Sequence, residues 1–113
     1  MQRKSSSSVK VFYPRYSREE VLKKLAQGVE ALQEKLPLKR VMLFGSYALR
    51  RHTVASDIDV LVVYGGEARE DAYALVKKAF ALYGLEPHVY AEAEFQAVQE
   101  ILERMVREGI VIL

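Results

Sequence analysis

The sequence predicts a small α/β (α+β) domain, one short sheet covered by helices. Two apolar runs, at about 39–44 and 57–63, have the length and continuity of interior strands. Around them, three stretches repeat apolar residues at helical spacing and end on Pro37, Gly84 and Gly109. The resulting order, α-β-α-β-α-β-α, calls for a sheet with helices packed on it.

The elements follow in order. Residues 1–16 carry Arg3, Lys4, Lys10 and Arg15 without an acid, and Ser5–Ser8 is a serine run, so this stretch is expected to be a flexible basic leader. Within it, Val9–Tyr13 alternates weakly, an edge strand cut short by Pro14. A single domain is expected over 17–113. Ser17-Arg18-Glu19-Glu20 is a capping box, and the helix it opens keeps Val21, Leu22, Leu25, Val29, Leu32 and Leu36 on one stripe up to Pro37. The first strand stops on Gly45-Ser46, after which a short helix is expected to about Arg51 and a polar connector over 52–56. The second strand ends at Gly65-Gly66, a turn signal. A helix is expected over about 67–83 with Ala72, Leu75, Val76, Ala79 and Phe80 inward and Gly84 as its closing residue. A third strand follows at 86–90, then a helix at about 93–108 burying Phe95, Val98, Ile101, Leu102 and Met105. The apolar end, Ile110-Val111-Ile112-Leu113, reads as a buried end of the fold, with a docking strand as the alternative.

Composition narrows the function classes. With 113 residues, 50% of them hydrophobic and 28% charged, the chain suits one globular domain without a separate substrate module. No apolar run approaches the ~20 residues that span a bilayer. The N-terminus has no apolar segment of the secretory kind. Cysteine is absent, which excludes disulfides and thiolate zinc sites and suits a reducing, cytoplasmic location. The net charge of +2 is too small to argue for nucleic acid as a partner.

Two short motifs carry the chemistry. A strand, a glycine, a small hydroxyl and a helix start make an anion-binding corner at Gly45-Ser46, since free N–H groups face the ligand there; taken alone it is equally a plain turn. Asp57 and Asp59 are spaced two apart at the start of an apolar strand, so they share a face, ~7 Å apart along the strand. Two such acids resist burial unless a cation or hydrogen bonds compensate. The structural alternative has Asp57 capping a turn and Asp59 at an exposed strand end. A bound metal would be Mg²⁺ or Mn²⁺, because the ligands are hard oxygens. The apolar run follows the acids rather than preceding them, which argues against an aspartyl-phosphate mechanism. His52 and His88, each alone, read as surface residues.

Taken together, Gly45-Ser46, the ten residues 47–56 and Asp57-Ile58-Asp59 between two apolar strands resemble the minimal nucleotidyltransferases of the DNA polymerase β superfamily, small proteins paired with a HEPN-domain partner. The resemblance covers about 18–108. It implies a mixed sheet flanked by helices, a nucleoside triphosphate with ATP as the leading candidate, two Mg²⁺ ions, and transfer of a nucleoside monophosphate, AMP first among them, to a hydroxyl; which nucleotide is used stays open. It places Gly45 and Ser46 on the β- and γ-phosphates and Asp57 and Asp59 as metal ligands, with Ser56, just before the acids, counted among the nucleotide-binding residues. Glu86, with His88 on the same strand face, is the candidate third carboxylate, base or ligand. The family reads Gly-Ser-Tyr-Ala-Arg-Gly where this chain has Gly-Ser-Tyr-Ala-Leu-Arg-Arg, so phosphate-facing charge is expected from Arg50 or Arg51. With no acceptor-holding domain of its own, the chain is expected to act on a separate HEPN-type toxin as its antitoxin. The alternative is an inactive fold that neutralises its partner by contact alone. The oligomeric state, a homo-oligomer included, stays open.

Overall fold

The structure, a computed structural model, describes residues 15–53 and 56–113. The strand expected at Val9–Tyr13 and the leader up to residue 14 lie outside the described residues. Arg15 and Tyr16 are packed: the Arg15 guanidinium lies 4.1 Å from the centre of the Tyr83 ring, and Tyr83 N–H donates to Tyr16 Oη at 3.2 Å.

Helix α1 (Arg18–Gln33) starts as its sequence dictates. Ser17 Oγ accepts from Glu20 N–H at 3.0 Å, and the Glu20 carboxylate accepts from Ser17 N–H at 2.8 Å. Val21, Leu25, Val29 and Leu32 are buried, and Leu22 is half-buried. The helix ends three residues earlier than expected, because Lys35 and Leu36 N–H both donate to Leu32 O in a tight turn ahead of Pro37. Leu36 still reaches the core.

Strands β1 (Leu38–Phe44) and β2 (Ile58–Tyr64) pair antiparallel, with Phe44 opposite Asp59. The expected short helix between them is not formed. Only Leu49 N–H reaches back four residues, to Gly45 O at 3.1 Å, and Arg50 at φ +59° breaks any continuation. Helix α2 (Ala72–Phe80) is shorter than the stripe suggested. Residues 67–71 form a turn held by Arg69, which grips Asp71 through two nitrogens and donates to Lys35 O. At its other end Ala81, at φ +48°, closes the helix in place of Gly84. Gly84, at φ +79°, instead turns the chain into β3 (Leu85–Ala91), which runs parallel to β2.

Helix α3 (Glu92–Met105) buries Leu102, with Val106 just beyond it; Phe95 and Val98 are half-buried. Ile101 is exposed, against expectation, because the stripe turns away from the sheet there. The Met105 side chain is outside the described residues. The chain end forms β4 (Ile110–Val111), an edge strand antiparallel to β1 rather than a buried tail: Val111 is 66% exposed.

The sheet order is β3-β2-β1-β4, one parallel and two antiparallel pairings. Alternation splits its side chains between two cores. Val41, Leu43, Val60 and Val62 face α1 and α2, whereas Met42, Phe44, Leu61 and Val63 face α3. This directionality brings the end of β1 and the starts of β2, β3 and β4 to the same rim.

Candidate functional site

That rim collects most of the residues singled out in the sequence. Gly45 leaves β1 at φ +77°, a conformation that strains any side chain, and a Cβ there would collide with Asp59 Oδ2. The backbone corner therefore lies directly against a carboxylate. Asp59 is opposite Phe44 on one side and level with Glu86 on the other, so all three lie on the α3 face. Asp57 and Glu86 are exposed, and Asp59 is half-buried. Burial pushes the Asp59 carboxyl up from its ordinary range; His88 beside it pulls it down, and the charges of Asp57 and Glu86 push it up again.

His88 is drawn into the site rather than standing on the surface. Its Nε2 is 3.7 Å from Asp59 Oδ1, and its ring meets Phe44 at 5.1 Å between centroids. His52 is likewise packed, stacked on the Tyr47 ring at 4.2 Å with its Nδ1 buried and unpartnered. Tyr47 is buried, and its hydroxyl donates to Tyr16 O. Arg18 from α1 donates to Tyr47 O at 3.0 Å and to Ala48 O at 3.5 Å. The corner is thus anchored from behind through its carbonyls. The Ser46, Tyr47 and Ala48 N–H groups have no hydrogen-bond partner among the described residues. Free backbone N–H groups at such a turn are potential donors to an anion.

Not every expected residue joins the cluster. Ser56 Oγ accepts from Thr53 N–H at 2.8 Å, which ties up its hydroxyl in the connector. Arg50 and Arg51 are exposed, and neither is in an ion pair with the acids among the described residues. Two arginines the sequence reading did not single out lie closer in. Arg104 and Arg107, near the end of α3, line a cleft of about 230 Å³ with Phe44, Gly45 and Leu49. No local signal marks them, because roughly sixty residues separate them from the corner.

A divalent cation suits the donors present. The carboxylates of Asp57 and Asp59 offer hard oxygen donors, and burial opposes the charged form of Asp59. Among the described residues no group of three His, Asp or Glu forms a ready cage. Mg²⁺ needs none, since it is held by one or two carboxylates with substrate phosphates.

A mixed sheet of this order, with its chemistry on one rim, has the layout of a nucleotidyltransferase fold. The chain belongs to the nucleotidyltransferase domain family, whose model matches residues 22–112. Among solved structures it is similar to a candidate nucleotidyltransferase from Sulfolobus solfataricus, at 24% identity over 84% of this chain and 81% of that one, TM-score 0.59. It is also similar to a chain of a toxin–antitoxin complex with AMP-PNP, at 20% identity over 78% and 72%, TM-score 0.56. A third similarity is to a chain of the complex between tri-AMPylated Shewanella oneidensis HEPN toxin and its MNT antitoxin, at 20% over 85% and 71%, TM-score 0.54. No curated protein sequence matches the chain. Among the described residues no helix is long and apolar enough to cross a membrane.

Proposed function

We propose that this domain transfers AMP from ATP to a hydroxyl of a separate HEPN-type protein and serves as that protein's antitoxin. The observation that carries the reading is the Gly45 corner lying against Asp59, with Asp57 and Glu86 close enough to act on its charge. The toxin–antitoxin structures similar to this chain, one with AMP-PNP and one AMPylated, suggest the nucleotide and the partner.

In this reading the Ser46–Ala48 N–H groups bind the polyphosphate, and Asp57 and Asp59 hold one or two Mg²⁺ ions. The metal, when bound, neutralises the charge that develops on the transferring phosphoryl group. The acceptor oxygen attacks the α-phosphorus in line, forming the new P–O bond as the α–β bridging bond breaks and pyrophosphate leaves. Glu86, level with Asp59 and exposed, is the group that takes the hydroxyl proton in this reading. His88, in contact with Asp59, positions that carboxylate.

Intact mass spectrometry of the HEPN-type partner, incubated with this chain, ATP and Mg²⁺, tests the reading. The expected result is a gain of one or more AMP masses. Asp57→Ala with Asp59→Ala should cut its rate by about 10²-fold or more, the scale of losing a preorganised charge stabiliser, without loss of partner binding. One observation favours a second reading, a fold that neutralises by contact alone: His88 Nε2 already lies 3.7 Å from Asp59 Oδ1, one of the two oxygens that carboxylate could offer a cation. That reading predicts no mass gain and full neutralisation by the double variant.

A further inference from the structure

We propose that Arg104 and Arg107 form the second wall of the polyphosphate site, facing the Gly45 corner across the cleft at the end of α3. The inference rests on the nucleotide reading above and assigns the cationic residues that it lacks.

Four observations converge on it. First, Gly45 belongs to both places: it abuts Asp59 and it lines the cleft, so the cleft adjoins the acids at this glycine. Second, both guanidiniums are uncommitted: neither Arg104 nor Arg107 makes an ion pair or hydrogen bond among the described residues, whereas Arg18, Arg40 and Arg69 are each engaged. Third, among the described residues Glu108 is the only acid lining the cleft, against two arginines, so its lining is net positive, whereas Asp57, Asp59 and Glu86 do not line it. A chain of phosphates has matching needs, since its metal-bound part belongs at carboxylates and its distal part at guanidiniums. Fourth, Arg50 and Arg51 are placed less well. Both are exposed on the turn after Ala48, and neither lines the cleft.

The position of Gly109 explains why the wall is held in place. A Cβ there would come within 2.9 Å of Leu43 O and Val106 O, so the chain leaving α3 passes hard against β1. This close passage fixes the end of α3 over the corner. The apolar remainder of the cleft, Phe44 and Leu49, makes a nucleobase the rival occupant.

Calorimetric titration of the full chain with ATP, AMP and inorganic tripolyphosphate, each with Mg²⁺, separates the possibilities. The expected result is that the chain binds ATP and tripolyphosphate. Arg104→Gln with Arg107→Gln should then weaken both by about tenfold or more, the scale of lost charge-assisted hydrogen bonds, and leave AMP affinity within twofold (about the precision of the comparison). The loss should exceed that of Arg50→Gln with Arg51→Gln. Circular dichroism melting of the variants checks the fold, and since both side chains are exposed the double variant should melt with the parent. If ATP binds the parent and the α3 variant equally, the inference fails and the nucleotide reading stands. An equal loss for AMP and ATP would assign the cleft to the base and overturn the inference. If the parent binds no nucleotide at all, both readings fall.

Discussion

Asp59 is where the folded chain bears the clearest electrostatic cost. Its carboxyl is raised first by burial, and the neighbouring Asp57 and Glu86 add to the rise that His88 opposes. A raised native pKa means that the folded state holds the proton more tightly than the unfolded state. Stability from this group is therefore present at low pH and is lost as pH climbs through the folded pKa. At neutral pH the ionised carboxylate works against the fold, so Asp59→Asn should raise Tm at pH 7 and change it little at pH 4, while abolishing transfer if the proposed function holds. Thermal melts at the two pH values check the sign. Equal or lower stability at pH 7 would mean that His88 outweighs burial. Under the proposed function the gain in stability and the loss of activity would share one cause, a charge kept in a poor environment for the chemistry it serves.

At the scale of elements, helix packing governs how α1 and α2 sit together. Gly28 is buried on α1, and a Cβ there would run into the Phe80 ring of α2 and lie 3.2 Å from Ala79 O. On an exposed helix face Gly→Ala is worth about 1 kcal/mol in favour of the helix. Here overpacking costs roughly 1–3 kcal/mol, which exceeds that gain. Gly28→Ala should therefore destabilise by about 1 kcal/mol net, read from the midpoint of urea unfolding. On the other face, Arg40 and Glu103 bridge β1 to α3 at 2.6 Å. That pair is partly exposed and adds ~0–1 kcal/mol, so the Leu102 and Val106 contacts with the sheet hold α3 in place.

For the whole molecule, the feature that matters is one crowded rim. β1 ends there, and β2, β3 and β4 begin there, which brings the corner, the acids and the chain leaving α3 together. β4 is a slight element with a structural duty. Ile112 and Leu113 N–H donate to Val41 O at 2.8 and 3.1 Å, and Leu113 O accepts from Val41 N–H at 3.3 Å. Deleting residues 110–113 would expose the edge of β1, a row of unpaired backbone groups open to intermolecular pairing. The expected outcome is a lower Tm together with concentration-dependent association in light scattering beyond that of the parent; an unchanged Tm and unchanged scattering would show that β4 does not guard the edge.

Much of this was legible from the chain alone. The capping box at Ser17 and Glu20, the apolar runs of β1 and β2, and the spacing of Gly45-Ser46 to Asp57 and Asp59 are all local patterns. Local patterns survive without knowledge of the fold because backbone sterics and side-chain period fix them. The segment after Ala48 misled because helix propensity was offset by Arg50 in a left-handed conformation. Helix α2 was overextended because a stripe says which face is apolar, not where Arg69 and Asp71 hold the chain in a turn. Tertiary structure alone decided the partners: His88 against Asp59, Arg104 and Arg107 beside Gly45, and the chain end as an edge strand. These meetings join residues far apart in sequence, and only the packing of sheet against helices brings them within reach.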